Sequence, residues 1–290
     1  PLRTRSEANE LAIAGVQERY PEVQLLMMTP GGLRAMAVNF LWIRSQLLHE
    51  AGRHYDAYQL AELICALQPK FPAVWDFQAW QIAWNISVTK DDPQQRWRCV
   101  YNGVTLLRDR GIPYNPRALM LYKSLAWIFF SKMGDRIDEM HMIYKERWAQ
   151  KMQRLLSTPP RQSVAATVAA FRRIADAPLD KDPARKGAQH IQEDRLEALR
   201  DADPAVDAYV RRLEDAGVAV GWDLLDAYNR FSRDYGVLAA WVVPPAEPAP
   251  DAPERAVYDV INDKDAGAAR TALLAFVRAQ LLWNVYKMDP

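Results

Sequence analysis

The run Gly52-Arg53-His54-Tyr55-Asp56-Ala57-Tyr58-Gln59-Leu60-Ala61-Glu62-Leu63-Ile64-Cys65-Ala66-Leu67-Gln68-Pro69 decides how this chain is read. Between its Gly and its last Pro, Ala57, Leu60, Ala61 and Ile64 recur three and four residues apart, the period of one apolar helical face. Pro69 ends that helix because proline has no N–H to continue the ladder. Upstream, Leu33, Met36, Ala37, Phe40, Leu41, Leu48 and Ala51 keep helical spacing, and Gly52 is placed to close their helix in a left-handed cap. Two helices joined at a glycine are predicted, with the small Ala57 letting them approach.

The same punctuation continues outward. Pro72 opens a third helix in which Val74, Trp75, Phe77, Ala79, Ile82, Ala83 and Ile86 leave little polar surface, so it is expected to be buried on more than one side. Asp92-Pro93 reads as an N-cap followed by proline at the first helical position. The helix from 93 to 110 then ends at Gly111. Helices over 117–132 and 135–156 follow, separated by Met133-Gly134, and Ser157-Thr158-Pro159-Pro160 is the clearest break. Beyond it, helices are predicted over 163–175, 189–200, 205–216, 222–234, 253–262 and 266–288, with Asp203-Pro204 starting one and Gly217 ending it. Residues 237–243 form the sole strand candidate, better read as an extended entry into the proline-rich loop at 244–253, which should be stiff. A short helix over 6–18 and a turn at Thr29-Pro30-Gly31-Gly32 complete the pass. The expectation is an all-α chain with an N-terminal segment at 1–32, helical repeats at 33–159 and a helical C-terminal region at 160–290.

Helices of this length paired across short Gly or Pro turns are the sequence sign of a solenoid. The intervals of Gly52, Ala57 and Pro69 resemble the second half of a tetratricopeptide repeat. Trp75, Gln78, Ala79 and Ile82 resemble the start of the next unit, and Tyr122, Leu125, Ala126 and Phe129 that of a third, whose second helix carries Met140, Tyr144, Trp148 and Met152. The likeness covers about residues 37–159. It departs from the family in the long loop at 88–93 and in Gly103, so the middle unit is expected to be irregular.

The resemblance implies about three helix pairs whose first helices line a concave surface. Carried over, the groove positions are Asn39, Trp42, Gln46, His49 and Glu50 from the first unit, Asp76, Trp80, Ala83 and Trp84 from the second, and Met120, Lys123, Trp127 and Phe130 from the third. Aromatic rings beside a few charges and amides suit capture of a protein or peptide by a scaffold without catalysis. The competing reading packs these Trp residues between repeats or against residues 160–290. Leu41-Trp42-Ile43-Arg44 is also similar to a helix of uncharacterised bacterial repeat proteins that begin with a membrane anchor. That likeness implies an anchor before Pro1 and a place in the bacterial envelope, with a cytoplasmic location still open.

Composition agrees with the helical reading. The 290 residues hold 37 Lys+Arg against 36 Asp+Glu and only 12 Gly, below the average usage of roughly 7%. Neutrality is a cancellation: residues 1–160 carry seven of the ten Trp and a net +5, and residues 161–290 a net −4. This balance excludes a disordered or strongly basic chain and argues against a nucleic-acid binder. The longest apolar stretches are broken by Arg44 and Lys123, short of the roughly 20 residues a spanning helix needs.

Chemistry-bearing motifs are few. Cys65 and Cys99 lack metal-ligand spacing and read as two thiols, a disulfide being the other option. Asp138 and His141, like His190 and Glu193, stand three apart, a spacing some di-metal helical sites use. The order is reversed between the two pairs and the further carboxylates are missing, so solvated helix faces are expected, with no metal and no cofactor. No nucleophile elbow, P-loop or dinucleotide fingerprint occurs. Arg96, Arg98, Arg108, Arg110 and Arg117 make the densest basic patch, either a contact for an acidic or phosphate-bearing partner or a charged outer helix face. Two other functions stay open at this point: a structural subunit of a larger envelope assembly, and an all-helical metal-dependent enzyme.

Overall fold

A computed structural model describes residues 31–157, 163–182, 191–233 and 246–290, whose regular structure is entirely helical. The expectations for 6–18, 237–243, Pro244-Pro245 and His190 lie outside the described residues. Two compact units divide between Lys145 and Glu146. No helix among the described residues is long and apolar enough to cross a membrane.

In the first unit, α1 (Gly31–Glu50) packs on α2 (His54–Leu67), α2 on α3 (Pro72–Trp80), and α3 on both α4 (Pro93–Thr105) and α5 (Leu119–Ile128). The α1 terminus closes as its sequence requires. Gly52 has φ +73°, its N–H reaches the His49 carbonyl and the Arg53 N–H the Leu48 carbonyl. These are the two bonds of a Schellman cap, and glycine supplies the left-handed residue. At α4, Asp92 caps through its carboxylate, which accepts from the Gln94 N–H at 3.1 Å, with Pro93 next in the helix. Gly103 lies where α4 crosses α3: a Cβ there would stand 2.8 Å from the Ala83 Cβ and 2.9 Å from the Ala79 carbonyl oxygen.

Three successive helices pass into π-helical turns, Gln81–Ile86 after α3, Leu106–Gly111 after α4 and Phe129–Gly134 after α5; the last ends at Gly134 as expected, and the second runs past its expected stop at Gly111. Gly111 is therefore not a terminus. The helical path runs on through Ile112–Tyr114, and the glycine is needed for a close approach, since a Cβ would meet Trp75 Cβ at 3.1 Å. Hydroxyls accompany the π turns. Ser131 donates to the Trp127 carbonyl at 2.6 Å, Ser87 to that of Ala83 at 2.6 Å and Thr105 to that of Asn102 at 3.1 Å. Such back-bonding satisfies carbonyls that the widened turn releases and competes with the regular ladder.

Helix α6 (His141–Leu156) is shorter than the expected 135–156, because Asp138 sits in the preceding turns. Its first residues, with the buried Tyr144, belong to the first unit. Leu155, Trp148 and Met152 belong to the core of the second, which accordingly begins inside the helix, ahead of the break at 157–160.

That second core gathers around α12 (Gly267–Asn284), which buries residues on several sides, Leu273, Phe276, Val277 and Leu281 among them. Helices α7 (Val164–Ala175) and α9 (Pro204–Asp215) pack on it, α8 (Glu193–Ala202) packs on α9, and α10 (Trp222–Phe231) on α11 (Arg255–Asn262). Ser163 caps α7 and Asp203 caps α9 ahead of Pro204, as the sequence signals require. Gly217 repeats the Gly52 cap, with φ +74° and the Val218 N–H on the Leu213 carbonyl.

Candidate functional site

Five residues carried over as groove positions come together in the first unit. Asp76 and Trp80 on α3, Trp84 in the π turn that follows, and Lys123 and Trp127 on α5 line one cavity of about 340 Å³, with Leu107, Ser124 and Ile128 at its floor and walls. The π turn matters here, because an extra residue per turn changes which side chains share a face. Trp80 and Trp127 are 45% and 52% exposed. Two half-exposed indoles thus stand beside one depression. Asp76 and Lys123 make no ion pair among the described residues, which leaves both charges available at the cavity wall.

Other aromatics extend this surface. The Trp42 ring of α1 lies 4.9 Å from Phe77, Phe77 lies 6.4 Å from Trp80, and Trp127 lies 5.6 Å from Phe130. Phe77, expected inside the helix packing, is instead exposed. Trp42 thus joins the groove at its edge. Asn39, Gln46 and His49 do not line the cavity; Asn39 and Gln46 are exposed on α1 and His49 is half-buried.

Helix α1 holds a feature that apolar spacing alone did not reveal. Its buried side is Val38 and Ser45, whereas Leu33, Met36, Phe40, Ile43 and Leu47 are all exposed. Their intervals of three, four, three and four are the a/d seam of a coiled coil. The helix period was legible in the sequence, but two apolar stripes shared it, and only packing against α2 selects which is covered.

Beneath the groove lies a buried ionic cluster. Lys132, in the π turn after α5, is 1% exposed and donates to Asp138 Oδ2 at 2.7 Å and to Ser87 Oγ at 3.3 Å, while its ammonium stands 4.3 Å from the centroid of the Trp84 ring. Arg96 Nη2 approaches Asp138 Oδ1 at 3.8 Å, and the Met140 N–H donates to the same oxygen at 2.9 Å. Burial pushes the Asp138 carboxyl up, but the hydrogen bonds from Lys132 and Met140 and the two nearby cations outweigh it and hold it below the usual carboxylate range. Burial, with the Asp138 charge, raises the phenol of neighbouring Tyr144. The solvated helix face expected for Asp138 and His141 is therefore corrected: Asp138 precedes the helix, is buried and pairs with Lys132 and Arg96. No cluster of His, Cys, Asp and Glu suited to a metal occurs among the described residues. The sequence reading placed Lys132 at the end of one helix and Asp138 on the face of the next, with nothing to say that either folds inward.

The five arginines read as a basic patch are dispersed. Arg96 faces Asp138, and Arg108 is buried and donates from Nε and Nη2 to the two carboxylate oxygens of Asp109, at 2.6 and 2.9 Å. Arg110 pairs with Glu62 at 3.0 Å, leaving Arg98 and Arg117 exposed. Burial of Arg96 on α4 and of Arg108 in the π turn that follows withdraws both from any outer contact. Both cysteines are free thiols; Cys65 is buried and its thiol raised by desolvation. No protein-family model, curated protein or solved structure matches the chain.

Proposed function

We propose that this chain is a non-catalytic scaffold of tetratricopeptide-repeat type that captures a protein or peptide in the Trp80/Trp84/Trp127 groove. The reading rests on one observation: half-exposed Trp80 and Trp127 frame a 340 Å³ cavity that also carries Asp76 and Lys123. Indoles supply large rigid contact area at low entropic cost, and the two charges orient a bound chain. A peptide with an aromatic or aliphatic anchor flanked by charged residues fits this chemistry. Selection of such a peptide from a random display library tests it. The affinity of an enriched peptide should fall about thirtyfold or more for the Trp80→Ala/Trp127→Ala variant, with helical content unchanged. Trp84 is left intact in this test because it also covers Lys132. Failure to enrich any peptide, or equal affinity for the folded variant, contradicts the proposal.

The exposed seam of α1 favours a second reading, a structural subunit that docks helix to helix in a larger assembly. The size of the purified chain in solution separates self-assembly through that seam from a monomeric peptide binder.

A further inference from the structure

The second unit contains a cavity of about 550 Å³ whose lining has an unbalanced charge. Three arginines, Arg154, Arg173 and Arg278, face it together with a single carboxylate, Asp226. Asp226 is already engaged by Arg154 through two parallel bonds of 2.8 and 2.6 Å. Arg173 makes no ion pair and Arg278 meets no carboxylate among the described residues. Instead Arg278 donates from Nε to the Leu155 carbonyl at 3.2 Å and from Nη2 to Ser157 Oγ at 2.9 Å, leaving Nη1 without a bond among the described residues.

The geometry around Arg278 is held from several sides. Ser157 has φ +57°, a conformation that a residue other than glycine adopts at a cost. Its hydroxyl donates to Asn229 Oδ1 at 2.7 Å, and Asn229 Nδ2 donates to the Arg154 carbonyl at 2.7 Å. The guanidinium lies 5.8 Å from the Tyr228 ring centroid. Burial pushes its pKa below the usual arginine value, and among the described residues no carboxylate beside it offsets the cost of burying the charge. Phe171, Ile174 and Leu274 supply apolar lining to the same cavity.

We infer that this cavity binds a small organic oxyanion, a molecule with a phosphate or carboxylate head and an apolar body. The head is taken by Arg278 and Arg173, whose guanidinium groups match planar oxyanions. The body lies against Phe171 and Leu274.

Calorimetric titration of the whole chain with phenyl phosphate, benzoate and inorganic phosphate tests this. Saturable binding is expected for at least one of the two aromatic anions, tighter than for inorganic phosphate, and whichever binds tells a phosphoryl head from a carboxylate. Arg278→Gln should weaken that binding about tenfold or more. Because Arg278→Gln could also loosen the α6 terminus, Arg173→Gln is the second variant: the Arg173 side chain is exposed, makes no ion pair, and its loss should weaken binding in the same direction without changing the unfolding temperature. Arg211→Gln, at an exposed Arg paired with Asp207, should leave binding unchanged. Absence of saturable binding by either aromatic anion, inorganic phosphate binding as tightly as both, or unchanged affinity in folded Arg173→Gln and Arg278→Gln would each overturn the inference.

Discussion

Replacing Asp138 by Ala should destabilise the chain by about 3–5 kcal/mol, the loss expected when one member of a buried charged group is removed and its partner is left uncompensated. Here two cations lose their carboxylate together, since Lys132 and Arg96 both address Asp138. The reverse deletion should be milder. In Lys132→Met the carboxylate retains Arg96 and the Met140 N–H, and the apolar stem of methionine can still lie against Trp84. Urea unfolding of the two single variants and the double variant measures this asymmetry. Equal losses for both, or a loss below about 1 kcal/mol for Asp138→Ala, would show that the cluster does not hold the first unit together.

The same group gives a pH dependence with a definite sign. The folded Asp138 carboxyl titrates below its unfolded value. Its stabilisation is therefore complete above the ordinary Asp value of about 3.9 and is lost as pH falls through the lower folded value. Wild type should lose stability more steeply than Asp138→Asn in that acid window and in no other.

Gly103→Leu should cost about 3 kcal/mol, at the upper end of typical overpacking. The first atom it adds would already collide with Ala83 Cβ and the Ala79 carbonyl oxygen, at 2.8 and 2.9 Å. Neither neighbour is the end of a flexible chain, so α3 and α4 must separate. Because α3 and its π turn carry Asp76, Trp80 and Trp84, peptide affinity should fall in parallel with the urea midpoint. Restoring space with Ala83→Gly should recover part of both losses, though the Ala79 carbonyl still limits the approach. A Gly103→Leu chain with wild-type stability would mean that the helices do not meet this closely.

Local backbone logic was largely legible in the sequence. Gly52 and Gly217 as left-handed caps, Asp92 and Asp203 before proline, and Pro69 as a stop all depend on one or two residues and their immediate neighbours. Gly103 and Gly111 were not legible in the same way. Their role is a close approach to residues about twenty to thirty-six positions away, and nothing adjacent to them in sequence distinguishes such a glycine from a terminus. The π turns were invisible for a related reason: they conserve helical periodicity approximately while shifting the face that later side chains occupy. That Asp76, Trp80, Trp84, Lys123 and Trp127 line one cavity was within reach of the sequence, because family-like spacing placed them on two neighbouring helices. Lys132 and Asp138 were missed, since a charge at a helix end or on a helix face reads as solvated unless tertiary packing covers it.

The groove assignment is tested most directly by the indole N–H spectrum of nitrogen-labelled chain, recorded with and without a library-selected peptide. Trp80 and Trp127, assigned through their Ala variants, should shift on saturation, while Trp148 and Trp222, which pack on the core of the second unit, should stay in place. Movement of Trp148 and Trp222 with Trp80, Trp84 and Trp127 unchanged would contradict it.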